Sequence, residues 1–199
     1  MAAKKMGKVE LVELKVETVL IPLRGLPPGM LVSHIPEAVI ENIWRKQSGE
    51  AELPTEKRKR QEQWEDALYK LDPERDGATE GFPAGGFLRA VVSACMRCTK
   101  IPGTKARTLF RPIPGADGLV PIRGEWVGTT MAARDGTKIV AANRPLYPEW
   151  EVDVPVEFDP TLVTLTELFT LFARAGSAIG IGAFRPEKNG YFGRFEIRK

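Results

Sequence analysis

Histidine and cysteine are almost absent from this 199-residue chain, which has one histidine, His34, and two cysteines, Cys95 and Cys98. Two thiols exclude a disulfide scaffold, and so few nitrogen and sulfur donors cannot complete a four-ligand zinc set. No apolar run approaches the roughly 20 residues that a membrane-spanning helix needs. No apolar stretch backs the lysines between Met1 and Lys8, so neither a secretory signal nor a transit peptide is expected, and the expected compartment is the cytoplasm. No Ser-His-Asp order or close carboxylate pair gives a hydrolase signature, and no fingerprint calls for a cofactor. What is present, 43% hydrophobic and 28% charged residues, is the composition of a soluble globular protein, long enough for a single domain with a sizeable core.

Acidic residues are missing from one long stretch. Between Gly81 and Ala116 there is no Asp or Glu, while Arg89, Arg97, Lys100, Lys105, Arg107 and Arg111 give the segment a charge of +6. Between Arg174 and Lys199 six basic residues face only Glu187 and Glu196, a charge of +4. Since the whole chain carries +3, the remainder carries −7. Such segregation points to a basic face assembled from two segments, with a polyanion as the natural partner. A solvated basic surface without a ligand is the competing reading.

The hydrophobic pattern orders the elements. Val9 to Leu23 alternates, with Val12, Leu14, Val16, Thr18 and Leu20 on one face, and reads as a long half-buried strand closed by the turn-forming run Gly25 to Gly29. Pro36 opens a helix carrying Val39, Ile40, Ile43 and Trp44. A second helix is expected after Pro54, with Trp64, Leu68 and Leu71 on one side and the Lys57 to Arg60 cluster at its wet start. Asp72 to Gly81 reads as a turn-rich link to a third helix, whose stripe is Phe87, Leu88, Val91, Val92 and Cys95, with Arg89, Ser93 and Arg97 opposite. Lys100 to Asp117 reads as a loop, followed by short strand pieces at Leu119 to Ile122 and Lys138 to Ala142. Trp150 to Phe158 alternates cleanly, and Pro155 suggests an edge strand or a bulge. Thr164 and Glu167 form a capping box for a helix with Leu165, Leu168, Phe169 and Phe172, which Gly176 is placed to end. A last strand is expected from Tyr191 to Ile197. The order fits an α+β, ferredoxin-like (RNA-recognition-motif-like) β-α-β-β-α-β core with a helical insertion over residues 25–80 after the first strand. Residues 81–117 would then be the basic helix entry and loop, and 150–199 the second β-α-β half.

The two basic segments are also the glycine-rich ones. In Gly81 to Arg89, Gly85 and Gly86 stand at a helix entry, where exposed backbone N–H groups and the helix dipole favour an anion, and Arg89 lies one turn further in. A tightly packed structural helix start is the competing reading. In Gly180 to Phe195, the glycines Gly180, Gly182, Gly190 and Gly193 surround Arg185, Lys188, Arg194 and the aromatics Phe184, Tyr191 and Phe192. Glycines allow close backbone approach, arginines hold phosphates and aromatic rings stack bases. The segment lies between a helix and a following strand, the reverse of a dinucleotide fingerprint, and no Gly-Lys-Ser/Thr makes it a Walker loop. A hairpin-like turn with core aromatics, Tyr191 and Phe195 among them, is the alternative.

The two segments together resemble the RAMP superfamily of CRISPR-associated proteins. The stretch from Gly81 to Val91 is similar to the helix entry of the backbone subunits, and Gly180 to Glu196 to their C-terminal glycine-rich loop. The resemblance implies ferredoxin-like architecture and a backbone-type subunit of an antiviral ribonucleoprotein. It implies binding of single-stranded RNA, a guide RNA or a single-stranded DNA in its place, self-association along the strand and contact with other subunits. Phosphate contacts are expected from Arg89, Arg97, Lys105, Arg107, Arg185, Lys188 and Arg194, a backbone cradle from Gly85, Gly86, Gly180 and Gly182, and base stacking from Tyr191, Phe184 or Phe192. Target-cleaving members use an aspartate after the first strand, and this chain has none between Val9 and Asp66. The pattern departs from the family in the longer Arg185 to Gly190 loop and in Phe192, and a phage or mobile-element relative fits these departures.

His34 carries the alternative from the enzyme class. The resemblance extends to processing nucleases of the same superfamily, and a lone histidine after the first strand suits their metal-independent cleavage beside a 2′-hydroxyl, with Ser33, Lys57 or Tyr69 assisting, although such a residue more often serves local capping or packing. A phage structural or interaction protein, its basic face meeting an acidic protein, is the third reading. Cys95 and Cys98 have the spacing of half a zinc site, but Cys95 falls on the apolar stripe and reads as core; no metal site is expected.

Overall fold

A computed structural model of the chain describes residues 15–51, 59–135 and 137–199. Its centre is a four-stranded antiparallel sheet made from β1 (Glu17–Gly25), β5 (Phe110–Pro112), β9 (Glu151–Phe158) and β10 (Phe195–Ile197), in the order β10-β1-β9-β5. Helix α3 (Ala84–Cys98) lies in the chain between β1 and β5, and α5 (Leu165–Ala178) between β9 and β10. Both pack on the sheet's apolar face. Val152, Val154, Val156 and Phe158 of β9 point there, against Phe87 and Val91 of α3 and Leu168 and Phe172 of α5. Each such side chain contributes about 1.5–3 kcal/mol by leaving water. The predicted capping box is in place: Glu167 N donates to Thr164 Oγ1 at 3.3 Å, and Thr164 N donates to Glu167 Oε2 at 2.9 Å.

The opposite face of this sheet is charged. Arg24 pairs with Glu196, Arg198 with Glu151 and Asp153, Arg123 with Asp153, and Arg111 with Glu157. It carries no aromatic ladder of the kind on which RNA-recognition-motif sheets stack bases. β1 is also in the opposite phase to the one expected. Leu20 and Val16 are exposed, whereas Ile21 and Leu23 are fully buried opposite Val154 and Val152. The predicted strand positions 9–14 lie outside the described residues. Pro155 sits in a central strand rather than at an edge or a bulge. Its carbonyl accepts from Ile113 N, so its nitrogen also faces the side where β5 has already ended at Pro112, and no ladder bond is lost.

Two further sheets flank the centre, β2 (Met30–Leu31) with β8 (Lys138–Tyr147) and β7 (Val127–Asp135), and β3 (Tyr69–Arg75) with β4 (Ala78–Pro83) and β6 (Leu119–Ile122). They correct the expected helical insertion at 25–80. That segment holds α1 (Glu37–Ser48) and α2 (Arg60–Asp66), but also β2, β3 and the start of β4. Leu68 and Leu71, expected on one helix face, lie beyond α2 and on β3; both are buried. Asp76 and Gly77, both at positive φ, turn β3 into β4, and β4 runs straight into α3. The predicted loop at 100–117 contains α4 (Gly103–Leu109) and β5. Gly176 does not end α5, which runs two residues further. It brings the helix against the backbone of Phe195, where a Cβ would collide. The expected strand start at Tyr191 moves to Phe195. Pro54, Lys57 and Arg58 lie outside the described residues.

An edge-to-face aromatic chain crosses the core from Tyr69 through Phe82, Phe87 and Phe195 to Trp150, with ring centroids 5.6–6.4 Å apart. It ties β3 and β4 to α3, β10 and the start of β9. Among the described residues no helix is long and apolar enough to cross a membrane.

Candidate nucleic-acid interface

The entry of α3 and the glycine-rich loop after α5 meet in space. Between them runs a groove of about 690 Å3 whose floor includes Leu88, Ala90 and Val92. Of the residues expected to bind, Gly86, Arg89, Arg107, Gly180, Gly182, Arg185 and Lys188 line it. Gly85, Arg97, Lys105, Tyr191 and Arg194 do not, although all five are solvent-exposed. The wall carries five cations, Arg89, Arg107, Arg144, Arg185 and Lys188, against one carboxylate, Glu187.

Glu187 joins the two segments. Ser93 Oγ donates to its Oε1 at 2.6 Å, Arg185 Nη2 lies 2.7 Å from its Oε2, and Arg97 Nη2 is 3.6 Å from Oε1. The Ser93 hydrogen bond, with help from Arg185 and Arg97, holds the Glu187 carboxyl below the usual glutamate range despite some opposing burial. Ser93 is therefore buried, not on a wet face with Arg89 and Arg97 as its spacing implied. Arg185 is committed to the loop itself, since it also donates from Nη1 to Gly182 O at 3.1 Å. Arg89, Arg107, Arg144 and Lys188 have no carboxylate partner among the described residues, and these four are the groove's available cations.

The glycines have structural reasons to be there. A Cβ on Gly86 would stand 2.5 Å from the Phe82 ring, whereas one on Gly85 would meet open space. Gly180 and Gly182 have φ of +71° and +74°, and a side chain on Gly182 would strike the Leu31 carbonyl. The loop is stitched to the strands by Ala183 N to Leu31 O, Ile181 N to Gly193 O and Gly193 N to Gly29 O, at 2.7–2.9 Å. At the helix entry, Ala84 N donates to Gly118 O at 3.1 Å. These bonds engage the N–H groups of Ala84, Ile181, Ala183 and Gly193.

The aromatics divide. Tyr191 is 64% exposed and stacks on Phe192 at 5.0 Å, so it is not core; Phe192 is buried and cannot stack a base, whereas Phe195 is core as expected. Phe184, half-buried at φ +51°, lies under Arg144, whose Cζ is 5.5 Å from the ring centroid. Burial lowers the pKa of the Arg144 guanidinium from its ordinary value. Burial also pushes the Tyr69 phenol up, against the charge of Arg89.

Arg144 is the residue that sequence reasoning missed. It stands in an acidic remainder of the chain, far from both glycine-rich motifs, and only the pairing of β8 with β2 and β7 carries it to the groove. His34 lies outside the groove but beside it. Its ring meets Tyr69 edge-on at 4.9 Å, and its Nδ1 is 3.2 Å from Asp66 O. Tyr69 in turn lies in the groove wall. Cys95 is buried on α3 as expected, and no cluster of three or more metal-ligating side chains occurs among the described residues. No family model, curated protein or solved structure matches this chain.

Proposed function

We propose that the protein binds single-stranded RNA along this groove, as a backbone-type subunit of a ribonucleoprotein of the RAMP kind. The observation that carries the reading is the convergence on one groove of four cations, from α3, α4, β8 and the glycine-rich loop, that have no carboxylate partner among the described residues. Phosphates spaced along a strand satisfy such an array, whereas a small anion needs only one or two of its members. The sheet order β10-β1-β9-β5, with one helix in each half, supports a ferredoxin-like core. The charged opposite face favours the groove over the sheet as the binding surface. Self-association belongs to the same reading. It draws support from α1, which buries none of its residues and exposes Val39, Ile40, Ile43 and Trp44.

The direct experiment is an anisotropy titration with labelled single-stranded RNA at low salt, alongside the 260/280 absorbance ratio of protein purified without nuclease. Binding and retained nucleic acid support the proposal. Absence of both overturns it and favours an acidic protein as the partner of the basic face.

The contact between His34 and Tyr69, with Tyr69 shared by the groove, favours a second reading, metal-independent RNA cleavage. Incubation of RNA in EDTA with wild type and His34→Ala separates the two. Cleavage lost on substitution establishes the nuclease; intact RNA leaves a binding protein.

A further inference from the structure

Five positions of the loop between α5 and β10 hold a positive φ. Three are glycines, Gly180, Gly182 and Gly193, and one is Asn189, a residue type that tolerates this region. The fifth is Phe184, at φ +51°. A bulky L-residue there is strained, and glycine would meet the same backbone need without steric cost. Such strain persists only where the surroundings impose it. Here they do so from both sides. Ala183 N donates to Leu31 O at 2.9 Å, Phe192 N donates to the Phe184 carbonyl at 3.1 Å, and the Arg185 side chain is tied to Glu187 and Gly182. Gly190 lies so close that a Cβ on it would strike the Phe184 carbonyl.

The Phe184 ring is not itself in the groove. Ala183 and Arg185 line the wall, and Phe184 between them does not. The ring lies instead under the guanidinium of Arg144, 5.5 Å from its centroid, and Arg144 does line the wall. Among the described residues no hydrogen bond or ion pair engages that guanidinium, so its five N–H donors are left for the oxygens of a ligand. An arginine that grips a phosphate loses rotamer freedom, and a side chain already confined has less of it to lose.

We propose that Phe184 is the positioning residue for Arg144: its ring, presented by the left-handed backbone, orders the guanidinium in advance for a phosphate of the bound strand. The proposal rests on the reading of the groove as a nucleic-acid site. It gives Phe184 a role other than the expected base stacking. It also explains why the loop carries phenylalanine where its other left-handed positions carry glycine or asparagine.

The test is a double-mutant cycle read by anisotropy with labelled single-stranded RNA at low salt. Phe184→Leu keeps an apolar side chain without the ring, and Phe184→Gly also frees the backbone, so one misfolded variant does not decide the matter. Each is expected to weaken binding roughly two- to fivefold in the wild-type background, the worth of one cation–π contact, and to add nothing in the Arg144→Ala background. Phe184→Tyr keeps the ring and restores the affinity. A merely structural loop residue, or a base stacked directly on Phe184, would give equal losses in the two backgrounds. Equal losses therefore overturn the positioning role, as does wild-type affinity in both ringless variants, and either result leaves RNA binding standing. If wild type binds no RNA, the groove reading fails and the positioning role with it.

Discussion

Ser93 Oγ and Glu187 Oε1, 94 residues apart in the chain, are joined by a 2.6 Å hydrogen bond. This contact, with the Arg97 and Arg185 ion pairs to the same carboxylate, fixes the glycine-rich loop against α3 and shapes the groove between them. Hydrogen bonds to charged groups contribute about 1.5–3 kcal/mol each, so Glu187→Ala is expected to lower stability by about 2 kcal/mol, read from thermal or denaturant unfolding.

The pH dependence of that contribution has a definite sign. The carboxyl of Glu187 titrates below its ordinary value near 4.5 in the folded protein, chiefly because Ser93 donates to the ionised form. The stabilisation is therefore fully present above the unfolded value and is lost as pH falls through the folded one. Wild type should lose stability below about pH 4.5 more steeply than Glu187→Gln. Parallel stability curves would remove Glu187 from this role.

Two glycines separate backbone need from ligand approach. Gly182→Ala places a side chain at φ +74° against the Leu31 carbonyl, and a loss of more than about 1 kcal/mol is expected as the loop detaches from β2. Gly85→Ala meets open space in the first turn of α3 and should stabilise by about 0.5–1 kcal/mol. Should Gly85→Ala weaken RNA binding while raising the melting temperature, the strand approaches that backbone closely.

Much of this arrangement was readable from residues alone, for definite physical reasons. β9 and α5 declare themselves because each buries one face only, so alternation in one and the Thr164–Glu167 box in the other survive in the sequence. Leu68 and Leu71 are spaced like a helical stripe, yet they belong to a turn and to β3, because the pairing of β3 with β4 overrides local spacing. α4 carries only Ala106 and Leu109 as buried positions, too few to show a period. Arg144 was invisible because nothing local distinguishes it from any other strand arginine; its position depends on pairing across three strands.

Arg144 also predicts an uncommon combination of effects. It is partly buried with no carboxylate partner among the described residues, so Arg144→Ala relieves a desolvated charge and forfeits a cation–π contact of about 0.5–1 kcal/mol. Stability should stay within about 1 kcal/mol of wild type, while affinity for RNA falls about tenfold, the share of one charge-assisted phosphate contact. Arg111→Ala is the control. Arg111 is exposed and paired with Glu157 on the charged sheet face, away from the groove, and its loss should leave RNA affinity unchanged.

The central claim, a strand of phosphates held by the four groove cations Arg89, Arg107, Arg144 and Lys188, is tested most directly by the salt dependence of RNA affinity. At a slope of about −0.7 per phosphate neutralised, affinity should fall about 50-fold between about 50 and 200 mM salt. The Arg89→Ala/Arg107→Ala double variant should show roughly half that slope on a logarithmic scale. An affinity indifferent to salt, or a double variant with the wild-type slope, would contradict the account.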